Sequence, residues 1–456
     1  MTGEAIIARL TDLKPIEGAD RIVQGTIFGE TVIVSKDLNE GDIGVLFDCE
    51  TQLSEEFARE NNLFRHSHLN KDKDKAGYLE DNRRVRPIKL KGVKCSGMWM
   101  PLSSLDYTKK DGEWGLEVGT QFKQVAGYSI CDKFVNPKKE RSNTPKQGKA
   151  RQNLVPTFKE HVDTDQFMRN LQYLEKGSII TITEKLHGTS CRVGNLEVDW
   201  STKRPKWRKI VDLLGAKLMG RSGVTYKQYD HVVGSRRVIK QAGEEVIKGN
   251  SFYDQDIWSL SAEAFRGKLE KGETVYYEIV GYLPDGTPIM PGQSNSKLKK
   301  FMEKNEYDSF IHRYGDKTSF SYRCPNPRYL DKYPLQKHDI YVYRMTLTNE
   351  DGHCVDYSWD QVMMRCEQMD VKHVPYLQRL VLGDCSKEEI EEVCELVQEH
   401  AEEESKEFPR HIREGVCVRI DRGSLTPKFL KHKAYLFKVL EGIIKDTEVD
   451  IEEDQS

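Results

Sequence analysis

What the chain lacks narrows it quickly. No apolar run approaches the roughly 18 residues needed to cross a bilayer. The start, MTGEAIIARL, has no charged stretch followed by a long apolar one, so no secretory leader is expected. The ten cysteines include no C-x-x-C pair. That argues against a zinc site and, in a chain of 456 residues, against a disulfide scaffold. Reduced thiols in a cytoplasmic setting, with no membrane partner, fit this usage. His66 and His68 come nearest to metal spacing, but they stand in HSHLNKDKDKAG, which reads as a solvated loop. There is no G-x-x-x-x-G-K-[ST] phosphate loop, no H-E-x-x-H and no G-x-S-x-G.

Net charge is almost absent as well: 70 Lys and Arg against 73 Asp and Glu give −3. The balance conceals a segregation. Residues 386–407 carry −8 and residues 446–456 carry −6, which leaves +11 on the rest. A mildly acidic total therefore does not exclude a polyanionic partner. With 31% charged and 37% hydrophobic residues the composition is globular, and the length suggests two or three domains.

Residues 1–133 read as β-rich, with Gly, Asp and Asn punctuating short apolar stretches. Residues 54–62 suggest one short helix. Residues 85–94 (VRPIKLKGVK) interleave Arg86, Lys89, Lys91 and Lys94 with Val85, Ile88, Leu90 and Val93, which predicts a strand with an apolar and a cationic face. Such a face suits a nucleic-acid strand, and equally a half-buried strand with solvated lysines. Residues 134–155 are a linker by composition, with six Lys or Arg against one Glu.

A second domain is expected from residue 156. Asp163 or Thr164 caps a predicted helix ending near Tyr173. Residues 178–184 (SIITITE) read as a β-branched strand, and further strands are expected at 274–280, 339–346 and 415–420. Ser386 with Glu389 forms a capping box, and Ile390, Val393, Cys394 and Val397 then recur at helical spacing. The tail beyond Lys445 reads as disordered.

The residues with chemical promise sit at strand ends. Lys185 follows the 178–184 strand, in a turn relaxed by Gly188. To act as a nucleophile a lysine must lose its proton, and burial or cationic neighbours favour that. Alone, K-L-H-G reads as a turn with a surface lysine. In order after it come Arg221 in G-R-S-G, Y-Y-E-I-V-G around Glu278, Tyr341-Val342-Tyr343, Glu414-Gly415-Val416 and Lys431-His432-Lys433. Individually these read as a turn, a paired carboxylate, core aromatics or a solvated face.

In this order the pieces resemble the covalent nucleotidyltransferase superfamily of ligases and capping enzymes. The gap of 17 residues between Glu414 and Lys431 suits it. The gap of 93 between Lys185 and Glu278 is longer than usual and suggests an insertion around residues 199–248. T-E-K-L-H-G-T-S is similar to the ATP-dependent RNA ligases, with His187 where DNA ligases and capping enzymes usually carry Asp. I-K-L-K-G-V-K-C-S-G-M-W-M-P-L resembles the amino-terminal OB domain of the RNA ligase 5 family. The resemblance covers about residues 1–440.

It implies an α+β fold. An OB-fold barrel (1–133) and the basic linker (134–155) would precede an ATP-grasp-like adenylation domain (156–445) and an acidic tail (446–456). It implies ATP-dependent joining of a 3′-OH RNA end to a 5′-phosphate end, in RNA repair or nick sealing. Lys185 would carry the adenylate. Glu184 would help hold the adenine, and His187, Gly188 and Ser190 would line the nucleotide site. Arg221 would contact ribose and phosphates, and Tyr341 would stack on the base. Glu278 would bind the ribose or metal. Glu414 would do likewise, and Lys431 and Lys433 would grip the α-phosphate. Arg86, Lys89, Lys91 and Lys94 would meet nucleic acid. The implied metal is Mg2+ or Mn2+, and the implied partner is RNA in a nicked or broken duplex, or an RNA/DNA hybrid, bound by a monomer. Ala434 departs from the pattern, since a hydroxyl residue often follows the last lysine. The rival readings are a DNA ligase or capping-type enzyme, and a non-catalytic nucleic-acid-binding protein.

Overall fold

A computed structural model gives the architecture. It describes residues 3–49, 51–109, 115–134, 155–200, 206–219, 224, 226–243, 245–246, 253, 255–290, 292–318, 338–423 and 426–447.

The amino-terminal part is a small β-structure built on a four-stranded and a three-stranded sheet, with three two-stranded ones among the described residues. β1 (Ala5–Arg9) is buried on both faces because it lies between two cores. Ile6 and Ala8 pack with Ile27, Val32 and Trp99, while Ala5 and Ile7 pack with Phe47, Phe57 and Leu105. β2 (Ile22–Ile27) and β3 (Glu30–Ser35) form a hairpin closed by Phe28 and Gly29, both with positive φ. This two-residue turn matches the natural twist of the strands. β4 (Ile43–Asp48) pairs with β1 and with β5 (Gly97–Pro101). α1 (Glu55–Glu60) is the helix expected at 54–62, capped by the Ser54 side chain.

Residues 85–94 are not one strand. Ile88–Leu90 and Val93–Cys95 form a tight hairpin around Lys91 and Gly92, both at positive φ. The Lys-Gly pair supplied a turn that the alternating pattern concealed.

The second part holds two larger sheets. In the five-stranded sheet, β6 (Ile179–Glu184) lies between β11 (Tyr376–Val381) and β12 (Gly415–Asp421), and β12 pairs in turn with β13 (Lys428–Lys433). The eight-stranded sheet is built on β7 (Thr189–Asp199), β8 (Lys227–Ser235), β9 (Glu273–Gly281) and β10 (His338–Thr348). α2 (Lys206–Leu218) lies between β7 and β8, within the expected insertion. α3 (Trp359–Met369) follows β10.

α4 (Lys387–Glu402) is the acidic helix, and its Val393, Val397 and Ala401 seal one face of the five-stranded sheet against Ile180, Ile182, Val418 and Leu430. Each valine, isoleucine or leucine of this set contributes roughly 1.5–3 kcal/mol of burial. Ser386 caps α4, but the Glu389 carboxylate accepts from the Gly383 and Cys385 N–H groups instead of closing the capping box. α5 (Tyr435–Thr447) follows β13 after Ala434.

The helix expected over 163–173 is absent. Asp165–Gln166 adds as a parallel strand on the edge of β13, and two 3-10 turns follow, Phe167–Arg169 and Leu171–Tyr173. An unpaired strand edge outcompeted local helix preference. α5 carries helix two residues past Lys445; residues 448–456 and most of the 134–155 linker lie outside the described residues.

The two parts meet through buried charge. Glu30 on β3 is 2.9 Å from Lys438 on α5, with side chains 13% and 8% exposed. Arg84 donates to the Gly442 carbonyl, and Gln398 to the Gly29 carbonyl. Lys89 faces Glu303 and Glu306 at 3.1 and 3.6 Å. No helix among the described residues is long and apolar enough to cross a membrane.

Candidate active site

The site grows from three strand ends. Lys185 leaves β6 with its backbone N–H donating to the Gly415 carbonyl, 3.0 Å away. β12 pairs Glu184 with Val416, and β13 pairs Lys433 with Gly415. The spacing of Glu414 and Lys431 is thus that of one antiparallel hairpin. Two glycines make the convergence possible. A Cβ on Gly415 (φ +148) would stand 2.1 Å from the His432 carbonyl oxygen, and one on Gly188 would stand 2.2 Å from that of Ile279.

At the centre, Glu414 is fully buried. Its Oε1 is 2.7 Å from the Lys185 Nζ and 3.5 Å from the Lys433 Nζ, and its Oε2 is 3.4 Å from His187 Nδ1. Burial alone would raise this carboxyl; Lys185, Lys433 and His187 outweigh it and bring it down to about 2. Its oxygens are held by charge rather than by aligned hydrogen bonds. The Lys185 side chain remains 20% exposed.

A cavity opens between the two sheets, lined by Glu184, Lys185, Gly188, Ser190, Glu278, Lys431 and Lys433. Glu278 on β9 accepts from the Ser190 hydroxyl, 3.0 Å away. Glu184 Oε2 accepts from the Lys406 N–H at 2.8 Å, while its Oε1 is buried with no hydrogen-bond partner. Burial, opposed in part by Ser405 and Lys406, holds the Glu184 carboxyl above its usual range.

Several expected residues stand elsewhere. His187 does not line the cavity: it sits behind Glu414, edge-on to Phe437 at 4.9 Å. Nor does Tyr341, whose hydroxyl donates to Glu407 at 2.8 Å and whose ring meets Phe408. Tyr343 does line it. The register of β9 and β10 shifts at Tyr276/Tyr277, so Tyr343 is the extra residue of a bulge, which re-aims its side chain. Its hydroxyl bonds to His161, a histidine that burial and the charges of Arg192, Arg236 and Arg344 keep far below its ordinary pKa. Arg221 lies outside the described residues.

The cationic hairpin is divided. Lys89 is 8% exposed and turned to the second part, whereas Lys91 is exposed and Lys94 stands over the Tyr435 ring. Arg86 is half-buried. His66 pairs with Asp81 at 2.8 Å, and no cluster of three metal-ligating side chains occurs among the described residues.

Trp359, Val374, Arg344, Arg419 and Phe429 also line the cavity. Arg344 and Arg419 both stand over the Phe429 ring. Of these only Arg419 carried a visible signal, as the sixth residue of E-G-V-C-V-R. Trp359 and Val374 reach the cavity by packing, which no local pattern encodes.

Comparison with known proteins agrees with this geometry. No curated protein matches the chain in a sequence search. An OB-fold domain model matches residues 4–102. Among solved structures, a Naegleria gruberi RNA ligase mutant with ATP and Mn is similar at 17% identity and a TM-score of 0.53, covering 95% of this chain and 98% of that one. The same ligase with PPi is similar at 17% identity and a TM-score of 0.52, covering 95% and 97%. These likenesses show a shared fold. The RNA ligase family model matches residues 178–440, more than half of the sequence, and the chain belongs to that RNA ligase family.

Proposed function

We propose that the chain joins a 3′-OH RNA end to a 5′-phosphate end, driven by ATP, through adenylate carried on Lys185. The observation that carries this is the Lys185 ammonium at the cavity wall, 2.7 Å from the buried Glu414 and beside Lys431, Lys433 and Glu278. In the first step Lys185, after giving its proton to solvent, attacks the α-phosphorus. An N–P bond forms, the bond to the bridging oxygen breaks, and its electrons leave with pyrophosphate. The second amine proton also passes to solvent. The 5′-phosphate end then takes the adenylyl group from Lys185, and the 3′-hydroxyl displaces AMP.

Each step gathers negative charge around phosphorus, and Lys431 and Lys433 are fixed cations placed to receive it. The sequence suggested cationic neighbours that would ease deprotonation of Lys185. Glu414 acts the other way, favouring the ammonium until that carboxylate is engaged elsewhere. Glu278, a hard oxygen donor that lines the cavity, is placed to hold a divalent cation of the magnesium or manganese kind, whereas Glu414 does not line the cavity and has its oxygens turned to Lys185, Lys433 and His187. When bound, that cation would supply charge neutralisation to the phosphates.

The unpartnered Glu184 Oε1 is an acceptor open to a donor on the base, such as the adenine amine. Tyr343 takes the stacking role expected of Tyr341. The amino-terminal OB fold, with Arg86, Lys91 and Lys94, would track the nucleic-acid backbone. We place the protein in the cytoplasm as a monomer acting on nicked or broken RNA duplexes or RNA/DNA hybrids.

ATP labelled at the α-phosphate tests the chemistry: metal-dependent label on the protein is expected, and none on Lys185→Ala. Equal label on both would end the proposal. A panel of nicked duplexes varying the sugar on each side should seal fastest with 3′ ribose. Equal sealing of all-DNA nicks would refute RNA preference.

A further inference from the structure

We infer that Glu441 is a positioning residue for adenylyl transfer, acting through Lys433. The inference rests on the adenylate chemistry proposed for Lys185. Lys433 ends β13 and is 4% exposed on its side chain. Both oxygens of Glu441, two turns into α5, stand 2.9 Å from its Nζ. The same ammonium is 3.5 Å from Glu414 Oε1, the oxygen that lies 2.7 Å from Lys185. Two ammonium groups therefore lean on one carboxylate oxygen, and Glu441 supplies a second anionic partner to one of them.

The helix holds this arrangement with little slack. Ala434 alone separates β13 from α5, and its N–H donates to the Glu414 carbonyl at 3.0 Å. Phe437 and Glu441 are four residues apart, so they share one helix face. The Lys433 ammonium stands over the Phe437 ring at 5.6 Å, and that ring is edge-on to His187. Lys433 is thus held from below by an aromatic face and from one side by a bidentate carboxylate.

Glu441 does not line the cavity, whereas Lys433 does. A buried ammonium deprived of one counter-charge is left uncompensated, which favours a closer approach to any carboxylate within reach. Without Glu441 that carboxylate is Glu414. Lys433 would then withdraw from the cavity and compete with Lys185 for the same oxygen. Glu441 keeps the two lysines apart and leaves Lys433 aimed where an α-phosphate would lie.

The test is single-turnover formation of labelled protein–AMP by the full chain across ATP concentrations. Glu441→Gln is expected to raise half-saturating ATP about fivefold and to slow labelling about tenfold. Glu441→Asp, which keeps the charge, should recover most of the loss. Glu441→Gln added to Lys433→Ala should cost nothing further, because both remove the same interaction. Wild-type kinetics in Glu441→Gln, full additivity with Lys433→Ala, or equal loss in Glu441→Asp would overturn the inference. Should Glu441→Gln not fold, Glu441→Ala carries the same test: raised half-saturating ATP with slowed labelling supports the inference, and wild-type kinetics refute it. Failure of the wild type to label would instead refute the underlying chemistry.

Discussion

Replacing Glu414 with Gln isolates the central charge of the site. The substitution keeps the side-chain shape and removes the anion facing Lys185, Lys433 and His187. Depression of the folded carboxyl from 4.5 to about 2 corresponds to about 3 kcal/mol of stability at neutral pH. Breaking a buried ion pair costs about 3–5 kcal/mol in general. The low end applies here, because Lys185 can still reach water and Lys433 keeps Glu441. The sign follows from the direction of the shift. A carboxyl lowered in the folded state stabilises above its unfolded value, and that stability is lost as pH falls from about 4.5 toward 2. Glu30, also held at about 2 by Lys438 and Arg169 against the opposing effect of burial, titrates in the same window. The wild type should therefore lose stability more steeply in this window than Glu414→Gln, by up to the slope of one proton. Urea midpoints between pH 5 and 3 measure this. An identical acid slope in the two proteins would refute the charge balance assigned to Glu414.

Three further outcomes follow from the geometry. Gly188→Ala puts a Cβ against the Ile279 carbonyl, so the Lys185 turn must shift; protein–AMP formation should fall about 10²-fold, and unaltered labelling would show that the turn has room. Glu30→Gln breaks the buried pair with Lys438 and should cost about 3 kcal/mol in urea denaturation at pH 7; an unchanged midpoint would mean the pair contributes nothing net. Tyr343→Ala should raise half-saturating ATP, whereas Tyr341→Phe should leave it unchanged and lose about 1 kcal/mol of stability with its hydroxyl bond to Glu407; the reverse pattern would return the stacking role to Tyr341.

Much of this arrangement was legible in the sequence, for definable reasons. The strand before Lys185 is announced by its β-branched residues, and Glu414 and Lys431 are tied by the length of one hairpin. What stayed hidden depended on partners far away in the chain. Lys185 meets its carboxylate 229 positions later. Tyr341 and Tyr343 look alike until a bulge separates them. Residues 163–173 have helix signals, but the open edge of β13 draws Asp165–Gln166 into a strand. Lys89 reads as solvent-facing until Glu303 is brought beside it. Glu441 looks like any surface acid of an amphipathic helix, and only the strand it follows gives it work.

The charge shared between β3 and α5 bears on how the molecule can be dissected. A fragment ending near residue 133 would present Glu30 and Asp48 to water without Lys438 and Arg169, their counter-ions from the other half. The complementary fragment would present Lys438 likewise, on the helix whose neighbouring turn holds Lys433. A truncated protein that loses activity would thus have lost a neutralised seam as well as a module, and charge-neutral replacements at that seam are the fairer comparison.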